Sequence, residues 1–356
     1  MGDWIISGKI IALEPLHIGK GILIGTYQPT LEYIPARALR GMLGNYLYSH
    51  NRELFEELGF KTENERVYFK PGVPENCIYA PAVLRVCKNC NKVVKGEECS
   101  CGHEAKAMSG WIERIDGIKD GLEIKKWKSK TLINTKCPLQ KEWHTSYPKE
   151  MIAGKKTPYH VAAIPRGTKF DFRIVVDEKY KENIKEALGD AGIFYGVGGM
   201  RSRGYGAVLF EFQNEEPVEK YIEKRKQSIG ENAWLVVNTP VILLKDGKKT
   251  EVRFGESFKN AVLECGKKLH SPISSMGMEM KERKKIKKEL VRGWRIEKGN
   301  NIEKGNKLDD FYEAIGSGSA VYCSISPELA ACAEVYGVGY MNNIYGDIYF
   351  LKEEQK

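Results

Sequence analysis

The stretch Tyr195-Gly196-Val197-Gly198-Gly199-Met200-Arg201-Ser202-Arg203-Gly204-Tyr205-Gly206 decides how this chain is read, because it comes back. Near the C-terminus the sequence runs Tyr336-Gly337-Val338-Gly339-Tyr340-Met341-Asn342-Asn343-Ile344-Tyr345-Gly346. The second copy is shorter by one residue and has lost both arginines. Glycines at this spacing specify a backbone that needs φ > 0 and room for a close approach. A pattern met twice predicts two related domains, one whose loop kept its charge and one whose loop did not.

The elements around the first loop predict a strand–helix–loop–strand order. Phe170, Phe172 and Ile174 alternate with polar residues, as in a half-buried strand. Glu178 to Leu188 reads as a helix with Tyr180, Ile184 and Leu188 on one face, and Ala207–Phe212 as the strand after the loop. Ser319–Ile325, Pro327–Val335 and Asp347–Leu351 repeat that order around the second loop, with Trp234–Leu244 opening this half. Near the N-terminus, Ser7–Glu14 reads as a strand ending in the loop Pro15–Gly21. A helix follows Pro35, with Leu39, Leu43, Tyr46 and Leu47 at helical spacing. The expected fold is therefore α+β: two ferredoxin-like (RRM-like) βαββαβ domains, 1–215 and 216–356. Residues of about 50–160 read as a large zinc-containing insertion in the first. The boundary falls in the charged stretch Gln213–Ser228. The open sheet face and loops of such modules are widely used for single-stranded RNA.

Bulk composition fits this picture. The 356 residues suffice for two cores, and 42% hydrophobic with 29% charged content is ordinary for a globular protein. No apolar run of a membrane-spanning length of about 18 residues occurs. The first residues lack the regions of a signal peptide, which points to the cytoplasm. Lys and Arg exceed Asp and Glu by 56 to 47, a net +9 that permits a polyanionic partner without demanding one.

The first glycine loop has two competing readings. Successive bare amides can cradle phosphate oxygens, with Arg201 and Arg203 adding planar donors. Alternatively it is a glycine-rich hairpin or bulge with two solvated arginines. It is neither a Walker loop nor the dinucleotide fingerprint, because no Gly-Lys-Ser/Thr follows and Arg201 holds the third glycine position. Nine Lys/Arg within 281–298 (281, 283, 284, 285, 287, 288, 292, 295 and 298) against Glu282, Glu289 and Glu297 read as a solvated helix face. Within it, Trp294 between Arg292 and Arg295 resembles a stacking platform.

Nine cysteines in a cytosolic chain are not a disulfide framework. Cys87, Cys90, Cys99 and Cys101 cluster in a short polar hairpin, 87–103, with thiols suited to tetrahedral, structural zinc. His103 could replace either of the last two. The other five read as packing residues. His17 is a candidate general base for RNA cleavage, but its loop setting favours a backbone or phosphate contact, and no matched acid is identifiable. His144 and His160 are weaker still. No Ser-His-Asp, paired-carboxylate or HExxH arrangement appears, so an enzyme is not expected.

Four pieces, taken in order, resemble the RAMP superfamily of CRISPR effector subunits: Leu16-His17-Ile18-Gly19-Lys20-Gly21, Ile34-Pro35-Ala36-Arg37-Ala38-Leu39-Arg40-Gly41, Ile164-Pro165-Arg166-Gly167-Thr168-Lys169-Phe170 and the glycine loop 196–206. The second departs at Ala36, where that family usually has Gly. With a worn second half, the chain is most similar to the type III group that caps the five-prime handle of the guide RNA and binds the large polymerase/cyclase subunit. The resemblance implies binding rather than cleavage. It assigns guide-RNA contacts to Gly196, Gly198, Gly199, Arg201, Ser202, Arg203, Gly204 and Gly206, supported by Arg37, Arg40 and Lys20. The implied partners are that RNA, the large subunit and the backbone RAMP subunits. It assigns protein contacts to the second half. The competing readings are a RAMP endoribonuclease that processes repeat RNA and a backbone subunit that polymerises along the guide.

Overall fold

In the computed structural model the described residues are 2–20, 24–60, 65–94, 98–128, 130–136, 159–245, 249–269, 277–281, 289–291, 294–301, 307–339 and 346–353. They form a mixed α+β architecture. In the first half β1 (Asp3–Ala12) leads to α1 (Ala36–His50), β2 (Val67–Phe69), β3 (Lys169–Asp177), α2 (Lys181–Phe194) and β4 (Val208–Pro217). A helix, α3 (Val218–Lys226), joins it to β5 (Asn232–Val237), α4 (Glu256–Gly266), β6 (Met278–Met280), β7 (Ala320–Ile325), α5 (Pro327–Tyr336) and β8 (Ile348–Glu353). The first sheet has the order β4-β1-β3-β2 and the second, read from its other edge, β8-β5-β7-β6. In each half the opening strand is central and pairs antiparallel with the strands on either side of the second helix. The two halves thus share element order and strand order.

The alternation read for β3 is observed. Phe170, Phe172 and Ile174 face a core with Ile6 and Ile10 of β1, Leu39, Leu43 and Leu47 of α1, and Ile184 and Leu188 of α2. Burial of such side chains contributes roughly 1.5–3 kcal/mol each, so these stripes decide the register. The pairing Ile6↔Ile174 and Ile10↔Phe170 keeps them on one face.

The opposite faces are not open, which corrects the expectation of an RNA-binding sheet surface. On the first sheet, Ile5 and Val175 belong to a second core with Val218 and Ile222 of α3, Phe258 and Val262 of α4 and Leu329 of α5. Leu235 and Val237 of β5 close that core from the other side. Farther along the same face Lys9 pairs with Asp171 at 2.6 Å and with Glu75 at 3.0 Å. Glu211 lies opposite Lys9 in the ladder, so this end is acidic on balance. The outer face of the second sheet carries Trp234, Val236, Ala320, Tyr349 and Leu351. It is covered by Ile78, Leu84, Val86, Val93, Met108 and Ile112 of the cysteine-bearing module, whose strand Gly117–Ile118 pairs parallel with β8. The layers therefore run helices, sheet, helices, sheet, cysteine module.

Two local readings change, and the boundary stretch gains detail. Val67–Phe69 and Val73–Pro74 pair with β3, so part of the expected insertion belongs to the first sheet. The charged stretch 213–228 is ordered structure. It holds the end of β4 and α3, fixed by Lys181 and Lys185 on Glu215 and by Arg225 on Glu334. Trp294–Asn301 is a strand paired with Lys307–Ile315, not a helix face. Its charges do not follow a helical stripe of apolar residues, and β-pairing decides. Residues 282–288, 292 and 293 of the basic run, and His144, lie outside the described residues.

Candidate nucleic-acid interface and metal centre

The glycine loop begins where α2 ends. The amides of Tyr195 and Gly196 both bond the Ala191 carbonyl at 2.9 Å. Val197 N–H then donates to Gly206 (2.8 Å), Gly199 N–H to His17 (2.8 Å) and Gly206 N–H to Pro15 (3.1 Å). These positions need glycine for close approach. A Cβ on Gly198, at φ +84°, would lie 2.5 Å from the His17 carbonyl oxygen, and one on Gly196, at φ +62°, would lie 2.6 Å from that of Gly206. The amides of Gly196, Val197, Gly199, Arg203 and Gly206 are all bonded within the chain. The bare-amide cradle is therefore largely spent on architecture.

What remains exposed is the tip. Arg201–Arg203 form one 3₁₀ turn between left-handed Met200 (φ 61°) and Gly204 (φ 75°), and residues 201–204 are exposed. Arg201 lays its stem across Gly206, and its Nη1 donates to the Tyr195 carbonyl at 3.0 Å. Arg203 Nη1 donates to the Tyr159 hydroxyl, and Asn134 Nδ2 donates to the Tyr205 hydroxyl at 2.8 Å. The strands Leu132–Lys136 and Tyr159–Ala163 thereby brace the loop from outside the helix–sheet unit. Nothing local in the sequence marks Tyr159 or Asn134 for this.

The other predicted contacts separate. Lys20 is exposed just beyond His17 and the Gly19↔Thr30 bridge. Arg37 is half-buried at the start of α1. Arg40 faces inward: its Nε bonds Glu65 at 2.7 Å, its Nη2 the Phe60 carbonyl at 2.6 Å, and its guanidinium covers the Phe60 ring. That charge is used by the fold. His17 is 7% exposed, and its Nδ1 bonds the Ala162 carbonyl at 2.8 Å. Its Nε2 faces Gly19 and its Cδ2 faces Gly199. His160 pairs with Thr135 across the bracing strands, at 3.1 Å.

The second glycine loop shares with the first its closing bond between valine and glycine, and differs at the helix end, where Gly196 reaches the carbonyl five residues back and Gly337 the one four back. Gly337 N–H donates to Ala333 (2.9 Å) and Val338 N–H to Gly346 (2.9 Å). Gly337 and Gly339 have φ +79° and +117°. A Cβ on Gly339 would lie 2.5 Å from the Ile242 carbonyl oxygen, so Ile242 stands where the first half has His17. Leu16 exchanges bonds with Ile164 as Val241 does with Ile315. Leu13 and Glu14 bond the Ala207 carbonyl as Asn238 and Thr239 bond that of Asp347. Residues 340–345 lie outside the described set.

The four expected metal ligands come together. The sulfurs of Cys87, Cys90, Cys99 and Cys101 all lie within 4.8 Å of one another, with Cys87–Cys101 and Cys90–Cys99 at 3.5 Å. Tetrahedral zinc, with Zn–S of about 2.3 Å, needs sulfurs about 3.8 Å apart. Each pair is followed by a left-handed residue, Asn91 (φ 55°) and Gly102 (φ 77°), which turns backbone amides toward the sulfurs. The Cys101 amide is the main reason the Cys99 thiol is held down to about 6. Sharing protons with Cys87 and then Cys99 pushes the Cys101 thiol up to about 12. Four clustered thiols cannot all ionise unaided, and a bound cation would let them. His103 is exposed and donates to the Cys101 carbonyl at 2.9 Å, so the four cysteines form the donor set. Cys265, Cys323 and Cys332 are buried, with thiols raised by burial, as packing residues are.

A family model described as the RAMP superfamily matches residues 9–209, from β1 to the start of β4. The chain belongs to the RAMP superfamily. This span takes in the arginine-bearing loop and the cysteine module of the RAMP chain, and stops short of the second half. No curated protein matches it. Among solved structures, a Type III-B Cmr-beta structure bound to cognate target RNA is similar at 18% identity and a TM-score of 0.36, over 60% of each chain. A Type III-B Cmr-beta structure in the apo state is similar at 11% identity and 0.35, over 58% of this chain and 96% of that one. A Cas6 product complex is similar at 12% identity and 0.40, over 98% of this chain and 99% of that one. The RAMP protein thus spans 60% of the length of the first of these. Among the described residues no helix is long and apolar enough to cross a membrane.

Proposed function

We propose that this RAMP protein is a non-catalytic guide-RNA-binding subunit of a cytoplasmic type III CRISPR effector. In this reading it caps the five-prime handle of the guide and contacts the large polymerase/cyclase subunit and the backbone RAMP subunits. Both halves are then ferredoxin-like units, and the cysteine module holds structural zinc. One observation carries the proposal. Two loops that share a closing bond, Val197 to Gly206 and Val338 to Gly346, differ in that only the first carries arginines, on an exposed turn. The second copy carries no arginine in its sequence, so the shared glycine framework does not itself call for one. Guanidinium groups suit phosphate oxygens, and family membership supplies the class of polyanion. Covered and acidic sheet faces leave the loop end as the surface for RNA.

The test is Arg201→Ala/Arg203→Ala in the full chain, titrated with guide RNA at several salt concentrations. Affinity should fall on the order of tenfold to a hundredfold. The log–log salt slope should become shallower by about 1.4, at ~0.7 per single-strand phosphate contact. Unchanged affinity and slope would remove the loop from the interface.

Cleavage of repeat RNA with His17 as general base has one observation in its favour. The Nδ1 bond to Ala162 suits a tautomer whose Nε2 lone pair is left toward Gly19. Product formation by the wild type that is lost in His17→Ala would select it over a binding-only role. Native mass spectrometry separates a single-copy cap from a polymerising backbone subunit.

A further inference from the structure

The most exposed large apolar residue beside the arginine turn is Phe194, the last residue of α2, at 75%. Its neighbour Tyr195 is clamped from α1. The rings of Tyr46 and His50 stack at 4.7 Å and 12°, and both meet the Tyr195 ring edge-on at 5.8 Å. Tyr46 Oη donates to Asp190 at 2.8 Å, which fixes the cluster and engages the carboxylate beside it. The Tyr195 carbonyl is also the group that holds Arg201. An exposed ring and the carbonyl that anchors a guanidinium thus belong to adjacent residues.

The second half shows what this corner looks like without a surface task. Its counterparts of Phe194 and Tyr195 are Val335 and Tyr336, both fully buried. Tyr336 donates to Asp3 and packs on Tyr68. Exposed aromatic and retained arginines therefore occur together, at the same one of two equivalent corners.

We propose that Phe194, backed by the Tyr195–Tyr46–His50 cluster, is a stacking platform for a single unstacked base of the RNA whose phosphate Arg201 contacts. The inference rests on the RNA-binding reading of the loop and adds a base contact that the reading does not contain. Base–aromatic stacking tolerates any base, because each has a π-face, and it releases no counterions. Its signature therefore differs from that of the arginines.

The experiment uses the full chain and a short oligoadenylate carrying 2-aminopurine at successive positions. Binding should quench fluorescence at one position. Phe194→Ala should abolish that quench and weaken binding roughly 5- to 150-fold, with the salt slope unchanged. Phe194→Trp should restore both. Wild-type quench and affinity in Phe194→Ala, beside weakened binding and a shallower slope in Arg201→Ala/Arg203→Ala, would overturn the platform and leave the loop reading intact. If neither substitution alters binding, both readings fall. If Phe194→Ala binds RNA normally but loses another subunit of its complex, the patch is a protein contact and the platform is overturned.

Discussion

The loop that follows α2 and the loop that follows α5 share a closing bond between valine and glycine, yet only the first carries a guanidinium. The comparison separates two things that a glycine-rich signature mixes. Glycines at 196, 198 and 206, and at 339 and 346, let one backbone pass hard against another. That requirement belongs to the fold and survives wherever the fold does. Arg201 and Arg203 have no counterpart in the second copy: each makes a bond within the fold, to the Tyr195 carbonyl and the Tyr159 hydroxyl, and the proposed function gives their other donors to RNA. The same logic separates Phe194 from Val335 and His17 from Ile242.

The sheets differ too, in what covers them, and this gives the largest expected effect. The first sheet's outer face is covered by helices of the second half, the second's by a module that brings four thiols together. Structural zinc contributes on the order of 10 kcal/mol in small domains. Chelation should therefore release more than the hairpin 87–103. It should uncover Trp234, Tyr349 and Leu351, raise hydrogen exchange in β5 and β8, and leave β1 and β3 protected. Equal exchange in both sheets before and after chelation would mean that the module is a passenger.

Next in size are the glycines. Gly346 has φ +85°, and a Cβ there would lie 1.6 Å from the Val338 carbonyl oxygen; at Gly206, φ +104°, the distance to that of Val197 is 2.8 Å. Left-handed backbone alone costs roughly 1–2 kcal/mol for a residue with a Cβ. Thermal melts should show both alanine variants destabilised, Gly346→Ala by about 3 kcal/mol or more and Gly206→Ala by less. RNA affinity should order them the other way, since only a Cβ on Gly206 displaces the Arg201 stem, which lies 3.1 Å from it. A Gly346→Ala protein with unaltered melting would break the equivalence of the loops.

Much of this was legible in the sequence because it is local. Phe170, Phe172 and Ile174 alternate, Tyr180, Ile184 and Leu188 share a helix face, and the glycine loops repeat in plain view. What was not legible depends on partners far along the chain. Arg40 near a helix start looked like a phosphate contact until Glu65, a strand's approach away, claimed it. The loop's amides looked bare until Pro15 and His17 turned out to frame them. Periodicity marks one face of a sheet as apolar but cannot say that helices of another half will cover its reverse. In the basic run 281–298, Trp294 and Ile296 alternate with Arg295 and Glu297, a strand sign too short to stand out from the surrounding charge.

The smallest effect isolates environment from bonding. Thr168 Oγ1 donates to the Pro165 carbonyl at 2.8 Å, and Ser319 Oγ to the Gly316 carbonyl at 2.7 Å, at equivalent turns entering β3 and β7. In each case the backbone amide of the same residue also reaches that carbonyl, so neither acceptor is orphaned by mutation. The difference is burial: Ser319 is fully buried, Thr168 only half. Water can replace the hydroxyl at Thr168 and cannot at Ser319. Ser319→Ala should then lower stability by about 1 kcal/mol, and Thr168→Val, which keeps the side chain's bulk, by a few tenths, in urea titrations with matched slopes. The opposite ranking would mean that the turn of the arginine-bearing half is under a load its counterpart does not share, and the two halves could no longer be treated as one architecture with and without a function.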